Sequence, residues 1–159
     1  MDNDNLHWYA IKVFWNRVKA LSGIFASAGV EIYTQTVVPS LVFVRSDEKF
    51  ILDLRHDRYE DLYVYSDPET RIPYVIPEKD FNIFRIVTSA RDEGLEYLGD
   101  DQPKYHEGDR VRVTAGMFKG AEGHVRRIKK DRRLVISIEG VCAVATSYIH
   151  PSLLEKVND

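Results

Sequence analysis

Scarcity does much of the sorting in this 159-residue chain. It has one cysteine, Cys142, with no Cys/His ligand spacing around it, which excludes an internal disulfide scaffold and a structural zinc site. No run of about 18 apolar residues occurs. The start, MDNDNLHWYA, carries two acids where a secretion signal needs basic residues and an apolar stretch, so a soluble cytoplasmic protein without a membrane segment is expected. The five histidines (His7, His56, His106, His124, His150) lack ligand spacing, and no glycine-rich phosphate loop follows a strand. His56 beside Asp57 and His106 beside Glu107 are adjacent pairs whose side chains need not converge. No catalysis, metal or cofactor is therefore expected. What is present, 44% apolar and 11% aromatic residues, is enough to bury a core.

The net charge of −3 conceals a partition. Residues 1–102 carry 11 Lys/Arg and 18 Asp/Glu, whereas residues 103–159 carry 11 and 7. Near the crossover, residues 92–103 mix two glycines, a proline and five acids without a sustained period. The chain thus reads as a domain over 1–91, a mobile linker over 92–105 and a smaller domain over 106–159.

In the first part, Trp8, Ala10, Lys12 and Phe14 alternate with His7, Tyr9, Ile11 and Val13, as in a strand. Asn16 offers a helix cap, Val18, Leu21, Phe25 and Ala28 share one helical face, and Gly29 can close that helix. Residues 36–45 are β-branched and aromatic, but Pro39 confines the regular strand to Leu41–Arg45. Ser46 then caps a helix whose buried stripe is Phe50, Ile51 and Leu54. Leu62–Tyr65 and Ile72–Ile76 read as strands joined by a turn at Ser66–Glu69. Pro77 opens a last helix with Phe81, Phe84, Val87 and Thr88 on its buried side. The fold class is α+β: a mostly antiparallel sheet with covering helices, followed by a small β-barrel.

The second part carries short strands punctuated by Gly116, Gly120 and Gly123, with Leu134–Ile138 and Val141–Ser147 forming a hairpin about Glu139-Gly140. Glu107 to Val125 fills the pattern EGDxVxVxxGxFxGxxGxV, which resembles a KOW motif, the signature of a small SH3-like barrel. Trp8-Tyr9-Ala10, the helix after that strand, and Pro39 followed by Val42-Phe43-Val44 resemble the amino-terminal domain of the NusG family of transcription elongation factors. Two departures stand out. Pro39-Ser40-Leu41 replaces the family's usual Pro-Gly-Tyr, and the polar segment between Tyr33 and Pro39 is short, which points to a divergent, specialised bacterial paralogue.

The resemblance implies a transcription elongation and antitermination regulator, monomeric, that binds RNA polymerase through its amino-terminal domain. A ribosomal protein or a termination factor would bind its KOW domain. The polymerase surface would comprise Lys12, Phe14, Val38, Leu41 and Phe43, and the KOW partner loop Met117, Phe118 and Lys119. Phe118 is read as a docking anchor exposed at the loop tip, against the alternative that it folds over the barrel end. Arg126, Arg127, Lys129, Lys130, Arg132 and Arg133 crowd a hairpin tip as a phosphate footprint for weak nucleic-acid contact. No aromatic residue interleaves that run, so base stacking is not expected there. A ribosome-associated KOW RNA-binding protein is the alternative, and the acidic first part speaks against it.

Overall fold

The computed structural model describes residues 3–14 and 17–158. The chain divides into two compact units, Met1–Glu78 and Lys79–Asp159.

The first unit is a four-stranded antiparallel sheet in the order β2-β3-β1-β4, formed by β1 (His7–Val13), β2 (Glu31–Tyr33), β3 (Leu41–Ser46) and β4 (Leu62–Val64). Helix α1 (Val18–Ser27) follows β1, and α2 (Glu48–Asp57) follows β3. Alternation along β1 sends Tyr9, Ile11 and Val13 into one core with Val42, Val44 and Val64, Leu21 and Phe25 of α1, and Ile51 and Leu54 of α2. Gly29 closes α1 at φ +74°, its amide donating to Ala26 O. Asn16, the expected cap of α1, lies outside the described residues.

Three local expectations for this unit need correction. The cap of α2 is Asp47, whose Oδ1 accepts from the Phe50 amide at 2.8 Å, while Ser46 is the buried last residue of β3. Residues 72–76 make only two isolated bridges, Ser66 with Pro73 and Trp8 with Ile76, because Pro73 has no amide hydrogen to continue a ladder. Strand β2 was not anticipated: three residues are too few to display alternation, and its pairing with β3 comes from tertiary context.

The second unit begins at Lys79, one residue into α3 (Glu78–Ser89), in which Phe81, Phe84, Val87 and Thr88 are buried as the spacing predicts, together with Ile83. A six-stranded antiparallel sheet follows in the order β10-β6-β7-β8-β9-β5. Its strands are β5 (Glu96–Asp100), β6 (Arg110–Val113), β7 (Glu122–Ile128), β8 (Asp131–Ile138), β9 (Cys142–Tyr148) and β10 (Leu154–Lys156). This is the expected set of barrel strands with two more, β5 and β10. Bulges between Tyr97 and Gly99 and between Arg133 and Val135 interrupt its edge and centre. Tyr105, Val135, Ala143 and Ala145 form a small core, and Cys142 is buried and unpaired. Gly123 is required by close approach: a Cβ there would stand 2.3 Å from the Val135 carbonyl oxygen.

The segment 92–105 is structured. Asp92 accepts from the Gly94 amide and, through its other oxygen, from the Ser147 amide, both at 3.0 Å. Strand β5 pairs with β9, the Gly140 amide donates to Asp101 at 3.0 Å, and Pro103–His106 forms a 3-10 turn. The acids that read as a solvated linker are turn acceptors and partners of the basic hairpin, since Glu96 meets Arg133 at 3.3 Å and Lys129 at 3.5 Å.

Candidate binding surfaces

In the first unit, β1 lies between β3 and β4, and the register places Leu41, Lys12 and Tyr63 in one row across three strands. Lys12 is exposed, Phe14 just beyond the strand is 55% exposed and Tyr63 50% exposed. Val38, Leu41 and Phe43 are all buried. They flank Pro39 and Ser40, where Ser40 adopts φ +67° and its carbonyl accepts from the Val13 amide at 2.8 Å. Of the five residues expected to form a polymerase surface, Lys12 and Phe14 are therefore accessible, while Val38, Leu41 and Phe43 lie among the buried side chains. Tyr63 belongs with the accessible pair and was missed. It carried a readable signal, as the single outward aromatic in a strand whose neighbours Leu62 and Val64 point inward.

In the second unit, the loop between β6 and β7 turns through Gly116 (φ +88°) and Gly120 (φ +92°). The Gly120 amide donates to Val113 O at 2.9 Å, and the Ala121 amide to Phe118 O at 2.9 Å. This tight path alternates the side chains: Met117 is 62% exposed, Phe118 only 5%, and Lys119 is exposed. Phe118 is thus a buried ring beneath the loop and not an exposed tip, because the hydrogen-bonded turn folds it inward. Met117 is the apolar side chain offered to solvent.

Beside that loop, Glu122 is nearly inaccessible and meets three cations, with Lys79 of α3 and Arg112 each at 3.0 Å and Arg110 at 3.9 Å. Burial alone would raise its carboxyl pKa, but hydrogen bonds from Lys79 and Arg112 outweigh that and hold it below the usual glutamate range. Asp92 is likewise held low: burial opposes ionisation, and hydrogen bonds from Ser147 and Gly94 together with the Arg133 charge overcome it. The Cys142 thiol is pushed well up by burial, with Asp101 and Asp100 adding to the effect.

The histidines do not assemble a relay. His106 Nε2 meets both Asp101 oxygens at 2.9 Å, and the same nitrogen lies 3.4 Å from Ser137 Oγ, so the ring cannot pass a proton between them through opposite nitrogens. His106 and His124 lie edge to face, with centroids 6.4 Å apart. Among the described residues, no three His, Cys, Asp or Glu side chains are grouped to hold a metal ion, and no helix is long and apolar enough to cross a membrane.

No protein-family model matches the chain, and no curated protein matches it in sequence. Its fold does have solved counterparts. A structure of NusG from Thermotoga maritima, described as showing domain interaction, matches at a TM-score of 0.53 and 15% identity over 99% of this chain and 100% of that one. An MjSpt4:Spt5 complex in its conformation B is similar at a TM-score of 0.39 and 16% identity over 96% of this chain and 97% of the other. The likeness to the Thermotoga protein shows the fold, which is NusG-like, α+β with a terminal barrel.

Proposed function

We propose that this protein is a transcription elongation factor of the NusG type, a regulatory and non-catalytic protein that binds RNA polymerase through its first unit. The observation that carries the reading is a NusG-like fold spanning nearly the whole chain, both parts in one match. Action at particular operons in a bacterial cytoplasm, as an elongation or antitermination regulator, is the role that the divergent Pro39-Ser40-Leu41 segment favours. The accessible residues at this end of the sheet, Lys12 and Tyr63 in one register row and Phe14 just beyond β1, supply a cation and two exposed rings, which suits an amphipathic helical partner. The barrel loop offers Met117 and Lys119 to a second protein, a ribosomal protein or a termination factor, with Phe118 as the buried support beneath them.

The decisive experiment is capture of purified bacterial core RNA polymerase by the immobilised full chain. Wild type retains polymerase, and Phe14→Asp and Tyr63→Asp each reduce retention at least tenfold with an unchanged circular dichroism spectrum, because a charge in an apolar contact is costly to desolvate. Failure of the wild-type chain to retain polymerase overturns the reading.

A further inference from the structure

Six basic side chains crowd the β7–β8 hairpin, and the register decides which are neutralised within the unit. Arg133 and Lys129 meet the two oxygens of Glu96, and Arg126 meets Glu107 at 3.8 Å. Arg127 and Arg132 differ. They stand directly opposite each other across the two strands, both exposed, and neither side chain has an ion pair or hydrogen bond among the described residues, as is also true of Lys130 at the turn between them. A like-charged cross-strand pair is unfavourable in an isolated sheet, and an anion held between the two guanidinium groups removes the penalty.

The pairing of β8 with β9 adds what the linear sequence lacks. Tyr148 stands opposite Arg133, its side chain 53% exposed, so an aromatic ring lies beside the basic run although none interleaves it in sequence. Tyr148 sits in the register row of Arg126 and Arg133 and shares a groove lining with Arg127 and Arg132, which gives base stacking a candidate platform that the linear sequence does not show. Arg127, Arg132 and Tyr148 line one open groove of about 500 Å³, with Val125 and Ile149 as apolar wall and Lys156 and Asp109 neutralising each other at 3.3 Å.

We propose that this groove binds single-stranded nucleic acid, with a backbone phosphate between Arg127 and Arg132 and an unpaired base stacked on Tyr148. The volume suits one or two nucleotides. Paired cations beside a free ring match the alternation of phosphate and base along a single strand. An acidic peptide satisfies the arginines but presents no planar group to the ring, and a duplex keeps its bases stacked away from it. The site is independent of the polymerase surface on the first unit.

The test is fluorescence anisotropy of the full chain with labelled 12-nucleotide single-stranded RNA, the matching single-stranded DNA, a duplex of the same sequence and a poly-glutamate peptide, over a range of salt concentrations. Both single strands bind more tightly than duplex or peptide; a preference for RNA places a 2′-hydroxyl contact in the groove, and equal binding assigns recognition to phosphate and base alone. Tyr148→Ala lowers single-strand affinity by about five- to one-hundredfold with little change in salt slope, and Tyr148→Phe retains it. Arg127→Ser with Arg132→Ser flattens the salt slope by about 0.7, the value for the one phosphate the two arginines share. All of these side chains are exposed, so thermal melts should match wild type. Undetectable single-strand binding at 50 mM salt, affinity unmoved by either change, or tighter binding of duplex or peptide each overturns the proposal.

Discussion

Glu122 shows how a single buried acid can couple stability to pH. Its folded pKa is depressed below the ordinary 4.5, so the ionised form is the stabilised one. Its contribution is present above that ordinary value and is lost as pH falls through the lower folded value. Melting temperature should therefore decline with acidification below about pH 5, and the decline should be shallower in Glu122→Gln, a difference that calorimetry from pH 7 to pH 3 measures. Phe118 and Met117 make a second contrast. Removing the buried Phe118 ring in Phe118→Ala should cost roughly 3–5 kcal/mol, whereas the exposed Met117→Ala should stay within about 0.5 kcal/mol, both read by denaturant unfolding. At Ser40, φ +67° is a region where a side chain is disfavoured, so Ser40→Gly should be neutral or stabilising by up to about 1 kcal/mol in the same assay. What was legible at this scale followed chemistry that one residue carries alone, such as Gly29 closing α1. What was not legible, the inward turn of Phe118 and the clasp on Glu122, depends on groups distant in sequence.

Elements were legible where several residues share one periodicity. The α1 stripe of Leu21 and Phe25 and the α3 stripe of Phe81, Phe84 and Val87 emerge from three- and four-residue spacing. Strand β5 did not emerge, because Glu96, Gly99 and Asp100 have low strand propensity and are held by β9. The same tertiary pairing predicts the outcome of truncation. A chain starting at residue 103 lacks α3 and β5 and leaves β9 with an open edge, so it should melt well below one starting at residue 79, or fail to fold, in circular dichroism. Equal melting of the two would mean that the segment 79–102 adds nothing to the barrel.

At the scale of the molecule, the charge reversal near residue 102 coincides with complementary pairing instead of a boundary. Cut at residue 78, where the compact units divide, the first holds eight Lys/Arg and twelve Asp/Glu and the second fourteen and thirteen, so the contrast largely disappears. The acids of 92–101 serve the basic strands of their own unit, a relation that composition along the chain cannot express. Cys142 has a further consequence. It is the chain's one thiol, fully enclosed at the start of β9 between β5 and β8 and disfavoured as thiolate, so a thiol reagent can reach it only when those strands part. Its labelling rate under native conditions is thus an intrinsic clock for how often the barrel breathes, readable without an introduced probe, and a bound partner that clamps those strands would slow that clock.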